Sequence, residues 1–367
     1  MRRVIFKFLE IENFMRNYIF ALLMLVFFSC GSDVDIVTYK VVRGDSIEER
    51  TSQRFELKGE NFGPQNRFGQ LIDISIVNGA KIVQDNKSEY AFWRLEGEDD
   101  LISFQVIGEG PNEVENADFV KMVNNIKSSN ELIFFDYSRK SLNSVSISPN
   151  SGFKKYSDIP DQYWGRMQSA VNISDSLIAI TGLFDETKFM VFNGNNQQEA
   201  WRSVYANSFS TELSEEERLE VAPRSIEYNE KNDMIVLSNP SVNSIDLFSV
   251  NGSLVKMYSF DEFENLTTES IFSPDFFYYY GVKTQENLVY GLYLGVERKT
   301  IDLQDLFLSS TRPELHIYNL LTDDLLRYRL DRVVNACVID ANNNVVYCID
   351  EDNEDQPLVK YEISEIF

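Results

Sequence analysis

The chain reads as an all-β protein: a six-bladed β-propeller of four-stranded antiparallel blades, with the last blade closed by a strand from the N-terminus. Three observations predict this. Short runs rich in β-branched and aromatic residues begin at Lys81, Leu132, Leu177, Met234, Leu288 and Val345, 45 to 57 residues apart. Further runs of the same kind flank each one, separated by Asp, Asn, Ser, Lys and Gly, the residues that turn a hairpin. No long stretch has helical periodicity; Ser214–Leu219 is the best short helix and sits between units. Four-strand units repeated at this period are the signature of propeller blades.

Taken in order, the chain opens on a targeting segment over residues 1–29. Arg16 precedes an apolar run, Tyr18 to Phe28, and Ser29-Cys30-Gly31 follows. The run is too short to span a bilayer comfortably and has the form of a secretory signal. Glu10 and Glu12 lie on the wrong side of such a signal, so Met15 is the expected start. Residues 30–50 are expected to be a polar tether and residues 51–367 the propeller.

The first unit runs from Leu71–Val77 through Lys81–Asp85 and Glu89–Leu95 to Leu101–Ile107. It ends in Gly108-Glu109-Gly110-Pro111-Asn112-Glu113, a turn in which two glycines are free to take positive φ and a proline removes a donor. No helix start follows, so the turn is a joint between units and not a phosphate cradle. The second unit comprises Phe119–Val123, Leu132–Asp136, Leu142–Ile147 and Gly152–Ile159. The third holds Leu177–Thr181, Lys188–Phe192 and Glu199–Tyr205. The fourth holds Ser225–Tyr228, Met234–Ser238, Ile245–Val250 and Leu254–Phe260. The fifth holds Leu288–Leu292, Leu315–Leu320 and Leu325–Leu330. The sixth has Val333–Ile339, Val345–Ile349 and Leu358–Ile363, and then the chain ends one strand short. Arg54–Lys58 is left over at the other end, and it is the strand expected to complete the sixth unit, since an unclosed ring would leave an exposed edge.

Gly108 to Glu113, Tyr290 to Gly295, Leu330-Asp331-Arg332, Cys337 to Asp340, Val346-Tyr347 and Lys360 to Ile363 together resemble the TolB-like six-bladed β-propeller lipoproteins. The turn departs from that family's usual Gly-Pro-Gly-Glu-Phe, carrying Gly-Pro-Asn-Glu-Val, and asparagine tolerates the same backbone. The signal with Cys30 resembles a bacterial lipoprotein signal. That resemblance implies cleavage before Cys30, lipidation of its thiol and a place in the cell envelope, anchored to the outer membrane. The family carries no activity that transfers residue by residue.

The chemistry is sparse. A net charge of -24 repels nucleic acid and anionic membrane surfaces, so the one membrane contact expected is the lipid on Cys30. His316 stands alone inside a strand, and no nucleophile elbow, phosphate loop or dinucleotide fingerprint is present. Neither a metal, a cofactor nor a catalytic residue is predicted. The acidic run Asp350 to Asp355 lacks the spacing of a calcium loop and reads as a solvated turn. Phe276–Tyr280 reads as core. Cys337 and Cys348 flank a hairpin turn symmetrically and would face one another, close enough for a disulfide in an oxidising compartment. The most ligand-like stretch is Pro160 to Arg166, where Tyr163 and Trp164 offer ring faces and Arg166 offers a fork for a carboxylate. The expected function is a monomeric binding or protein-interaction module for a glycan, peptide or envelope protein. The alternative is an enzyme acting on a glycan or peptide at the propeller mouth.

Overall fold

The computed structural model describes residues 35–44, 46–97, 100–108, 110, 113–115, 120–123, 130–148, 153–163, 165–174, 176–184, 187–194, 198–204, 222–260, 276–297, 312–364 and 366–367. Three strands come first: β1 (Ile36–Arg43), β2 (Ser46–Leu57) and the short β3 (Glu60–Asn61). Unit one is β4 (Leu71–Val77), β5 (Ala80–Asp85), β6 (Tyr90–Glu96) and β7 (Asp100–Val106). Unit two is β8 (Val120–Val123), β9 (Glu131–Asp136), β10 (Ser141–Ser146) and β11 (Phe153–Asp158). Unit three is β12 (Met167–Asn172), β13 (Leu177–Phe184), β14 (Thr187–Asn193) and β15 (Gln198–Val204). Unit four is β16 (Ser225–Asn229), β17 (Met234–Ser238), β18 (Ser244–Ser249) and β19 (Leu254–Ser259). Unit five is β20 (Phe276–Gln285), β21 (Leu288–Glu297), β22 (Glu314–Asn319) and β23 (Leu325–Leu330). The last run is β24 (Val334–Asp340), β25 (Val345–Asp350) and β26 (Leu358–Glu362).

Units one, two and three are separate four-stranded antiparallel sheets, and β3 joins β24, β25 and β26 as a fourth. Units four and five are fused into one ten-stranded sheet by β1 and β2. The arrangement is all-β and propeller-like. Its apolar side chains fill the spaces between consecutive sheets. One core lies between units one and two around Phe92, Phe104 and Phe134. The next runs through units two, three and four around Phe135, Phe192 and Phe248. Tyr258 and Tyr318 anchor the core between units four and five, and Tyr290 and Tyr361 the one between unit five and the last sheet. The last core, with Ile74, Val83, Val338 and Leu358, lies between the last sheet and unit one.

The last sheet is closed by an N-terminal strand, but not by the one expected. Glu60 and Asn61 pair antiparallel with Lys360 and Val359 of β26. Arg54–Leu57 instead runs parallel to β23 of unit five, with Phe55 opposite Tyr328. The reason is the strand before it. β1 takes the free edge of β19, with Val41 opposite Tyr258, and the hairpin turn at Gly44 then delivers β2 to the neighbouring edge. The tether expected over residues 30–50 therefore gives way at Ile36 to a strand whose Tyr39 and Val41 are buried.

Buried polar groups hold this hairpin in place. Tyr39 donates its hydroxyl to the Asp323 carbonyl at 2.6 Å, and Ser52 donates to Leu325 O at 2.7 Å. The Asp323 carboxylate receives Arg43 from the hairpin, Lys256 from β19 and the Tyr258 hydroxyl. On the β2 side, Arg54 reaches Glu314 at 3.2 Å. Glu314 also accepts from Arg327 at 2.8 Å and lies 3.2 Å from His316 Nε2. The Tyr279 hydroxyl lies 3.0 Å from His316 Nδ1 and 2.9 Å from the Tyr318 hydroxyl. A neutral His316 protonated on Nε2 satisfies every member: Tyr318 donates to Tyr279, Tyr279 to Nδ1, and Nε2–H to Glu314. The lone histidine is thus a structural one, fully buried and stacked on Tyr293 at 4.5 Å.

Burial alone would raise the Glu314 carboxyl, but the hydrogen bond from His316 and the Arg327 guanidinium overcome it and hold it at about 2. Burial pushes His316 below its ordinary value, against the pull of Glu314. Both shifts have one sign. A depressed carboxyl and a depressed imidazole each bind protons more readily when unfolded, so stability is lost as pH falls. The loss begins below the ordinary histidine value and steepens between about 4.5 and 2, where Glu314 alone contributes about 3 kcal/mol. Urea unfolding across pH 7 to 3 checks this, and a flat profile would contradict it.

Candidate functional site

The first strand of each unit is the innermost: β4, β8, β12, β16, β20 and β24. Five neighbour relations connect them: β12 lies beside β8 and β16, β20 beside β16 and β24, and β24 beside β4. Gln84 of β5 donates to Val120 O of β8 at 2.7 Å and so links units one and two. A cavity of about 370 Å³ lies among these strands, lined from β4, β8, β16, β20 and β24.

Four inner strands are bulged. Ladder registers slip between Leu71 and Asp73, Met167 and Ser169, Tyr280 and Val282, and Val334 and Ala336. A bulge inserts one residue and turns it off the regular pleat. The inserted Ile72, Gly281 and Asn335 all line the cavity. Gly281 has φ of +82°, a conformation that a side chain would strain.

Two lysines enter the cavity from opposite sides. Lys283 of β20 is bonded to Asp73 of β4 at 2.7 Å and also donates to Ile74 O. Burial would lower it, but Asp73, by charge and by hydrogen bond, and then Glu227 more than compensate, so it is raised. Lys121 of β8 donates to the Ser169 hydroxyl of β12 at 3.0 Å. Burial lowers its ammonium; Asp73 and Glu227 oppose the shift, and Lys283 adds to it. Among the described residues no carboxylate lies within ion-pair distance of Lys121. Arg224, Phe277, Tyr280 and Leu292 complete the walls. No helix of the described residues is long and apolar enough to cross a membrane, and among them no cluster of His, Cys, Asp and Glu is arranged to hold a metal.

The residues singled out by sequence fall elsewhere. Cys30 lies outside the described residues, as do Trp164 and Ser214–Leu219. Tyr163 is not an exposed platform: it is buried at 8% exposure, with its ring against Phe184 at 5.7 Å. A 3-10 turn, Asp161–Tyr163, folds it inward. Arg166 is exposed at the entry to β12. Phe276–Tyr280 divides by strand alternation: Phe277 and Tyr279 are buried, while Phe277 and Tyr280 also reach the channel. The acidic run is not wholly solvated either, since Asp350 ends β25 buried and bonded to Arg332 at 2.9 Å.

Cys337 and Cys348 are opposite one another in register. Asp350 N–H donates to Pro357 O and Ile363 N–H to Asn344 O, so the even-numbered residues of β25 hydrogen-bond toward β26. Cys348 therefore turns its backbone away from β24, and the two cysteines form a non-hydrogen-bonded pair, the closer kind. Both thiols are free and buried, and burial together with the Cys337 sulfur pushes the Cys348 thiol well up.

The Gly108 joint works differently from the positive-φ turn expected. Neither Gly108 nor Gly110 sits in the left-handed region; instead a Cβ at either would run into the Glu113 side chain, whose carboxylate accepts from Gly110 N–H at 2.7 Å. Arg139 of the next unit closes the joint by donating to Gly110 O and Glu113 O at 2.8 and 2.6 Å.

No family model matches the chain, and no curated protein matches it. Solved structures do. A member of the DUF4221 family from Bacteroides vulgatus is similar at 11% identity and a TM-score of 0.53, over 88% of this chain and 97% of that one. A protein of Bacteroides fragilis described as exported is similar at 12% identity and 0.52, over 86% and 99%. The WD40 domain of Pan2 from Neurospora crassa scores 0.47 at 10% identity, over 84% and 96%. Identities this low define a class of fold, the propeller-like all-β proteins, and nothing finer.

Proposed function

We propose that the protein is a lipid-anchored, six-bladed β-propeller of the bacterial cell envelope, a monomeric binding module whose ligand sits in the central channel. The observation that carries this is the cavity itself: inner strands from five sheet segments converge on it, four inner strands are bulged, and five ionisable side chains, Asp73, Lys121, Arg224, Glu227 and Lys283, are gathered around one space. Evolved cores avoid such groups because burying them is costly. Six blades are supported by the unbroken succession of cores and by β3 beside β26. The TolB-like kinship rests on the sequence motifs. The anchor rests on the signal with Cys30 and accords with an exported neighbour of similar fold. The ligand classes expected from the fold and the envelope location are a glycan, a peptide or a segment of an envelope protein.

Two measurements test the reading. Fatty-acid labelling and membrane fractionation of the wild type and Cys30→Ser should show label and membrane association lost together. Ligands drawn from glycan, peptide and metabolite libraries should protect Lys121 and Lys283 from amine acylation, read by mass spectrometry. A ligand that binds tightly and leaves both lysines reactive would place the site elsewhere, and the Trp164–Arg166 loop is the first alternative, through Trp164→Ala and Arg166→Ala.

The enzyme reading has one observation in its favour: Asp73 and Glu227 share the cavity with Tyr280. Asp73 is ion-paired to Lys283, and Glu227 is the second carboxylate in the cavity, the one this reading assigns to acid–base work. If a glycan or peptide is turned over, Glu227→Gln should lower the rate about 10²- to 10⁴-fold; unchanged turnover removes Glu227 from the chemistry.

The close register of Cys337 and Cys348 supports a disulfide formed in the oxidising envelope before the pair is buried. The intact mass of protein taken from that compartment should be two hydrogens lighter than after reduction; equal masses would dismiss the bond.

A further inference from the structure

We propose that the channel ligand is a small organic anion with an apolar body, and that Lys121 is its counter-ion. The inference rests on the channel being the binding site and adds the chemistry of what it takes.

The cavity inverts the charge of the molecule. The chain carries -24 overall, yet three cations, Lys121, Lys283 and Arg224, line this space against two carboxylates, Asp73 and Glu227. One cation and one carboxylate cancel, because Lys283 is bonded to Asp73 and to Ile74 O. Lys121 is different. Its partner is a neutral hydroxyl, Ser169. An ammonium has three donors, so two are left without an acceptor among the described residues. Glu227 and Asp73 act on Lys121 only through space, and Lys283 repels it. An ammonium removed from bulk water with no ion partner is disfavoured unless an anion completes it. Asp73 belongs to Lys283, which makes the missing partner something from outside.

The rest of the wall defines the body of that partner. Phe277, Val282 and Leu292 from β20 and β21 and Met122 from β8 are apolar. A volume of about 370 Å³ is at the small end of ligand pockets. Together these fit one carboxylate or comparable anionic group on a compact hydrocarbon or aromatic frame. A polyanion fits poorly, since Glu227 and Asp73 would oppose a second charge.

A matched set of probes tests this with the full-length protein in detergent: phenylacetate, phenylacetamide and phenethylamine, which share a frame and differ in charge. Phenylacetate should bind the wild type at least about ten-fold more tightly than the amide. Lys121→Met should erase that preference and Lys121→Arg should keep it, a rescue that a purely structural lysine would not show. Raising the pH should weaken phenylacetate binding to the wild type before it weakens binding to Lys121→Arg, because burial makes Lys121 lose its proton earlier than an ordinary lysine; Asp73, Glu227 and Lys283 are the charged groups that face it. If the amide or the amine binds as tightly as the anion and still protects Lys121 from acylation, the anion assignment is wrong and the channel reading survives. If none of the three alters acylation of Lys121 and Lys283, and no library ligand does so, both fall. The comparison among probes on the wild type stands even where a variant fails to fold.

Discussion

Replacing Glu314 by alanine should destabilise the protein by about 3–5 kcal/mol, the range for breaking a buried ion pair from one side. Glu314 is the single acceptor on which Arg327 and Arg54 converge, and His316 meets the same carboxylate. Its side chain is 14% exposed and that of Arg327 is 7% exposed, so water does little to replace it. Removing the carboxylate leaves two guanidinium groups and an imidazole N–H facing a void. The damage should extend along the chain of hydrogen bonds: without Glu314 to hold the proton on Nε2, His316 has no reason to present Nδ1 to Tyr279, and the Tyr279–Tyr318 pair loses its orientation. Glu314→Gln separates charge from shape. It keeps an acceptor in place and should cost less than alanine, while abolishing the steep part of the acid limb between about 4.5 and 2. Urea midpoints for both variants at pH 7 and pH 4 provide the measurement. A cost under about 1 kcal/mol for alanine would mean that the network contributes orientation and no stability.

That network shows what a sequence reader can and cannot see. Glu314, His316 and Tyr318 alternate along β22 and Tyr279 lies on β20, which places them on one side of one sheet only once the β20–β21–β22 register is known. The middle strands of each unit were legible because they are apolar on both faces and end in turn residues. Met234–Ser238 begins and ends as expected, and so does one outer strand, Leu325–Leu330, whose apolar residues alternate with arginine. β12 was not legible. Met167-Gln168-Ser169-Ala170-Val171-Asn172 is half polar, and Ser169 uses its hydroxyl to hold Lys121 of β8. The channel residues escaped notice for the same reason. Lys121 within Val120-Lys121-Met122-Val123, and Lys283 within Val282-Lys283-Thr284, look like solvent-facing positions of ordinary half-buried strands. The available signal was that each charge interrupts the first strand of a unit, the strand a propeller turns to its axis. Tyr163 failed in the opposite direction: a loop aromatic between Pro160 and Gly165 reads as exposed until a 3-10 turn folds it into the core between sheets.

The N-terminal hairpin is the larger omission, and its logic is edge protection. Units four and five each end in an outer strand, β19 and β23, that would present unpaired backbone groups to water and to other chains. β1 and β2 cover both with one insertion. This explains why Arg54–Leu57 is not available to the last sheet, and why two residues, Glu60 and Asn61, are enough there: they need only cap an edge already short.

The second large effect follows from how that hairpin is held. Asp323→Ala should cost about 3–5 kcal/mol and should release β1 and β2 before the rest of the fold. The Asp323 carboxylate is 5% exposed and is the common acceptor for Arg43, Lys256 and Tyr258. All three partners are on β1 and β19, Arg43 on the first and Lys256 and Tyr258 on the second, the strands whose pairing the aspartate secures. The backbone at Asp323 is also left-handed, with φ of +61°, which aspartate and asparagine tolerate and alanine does not. Asp323→Asn therefore isolates the charge from the backbone: it should preserve the turn and the Tyr39 bond to the carbonyl while removing the counter-charge of Lys256 and leaving Arg43 only Glu48, at 3.2 Å. Hydrogen exchange should show faster exchange of the Ile36–Arg43 amides in both variants, with the β24–β25–β26 ladder unchanged. If both variants unfold only globally, with β1 protected until the end, the hairpin is an integral part of the sheet and not a clasp added to it. Equal losses in the two variants would assign the effect to charge; a loss confined to alanine would assign it to the backbone.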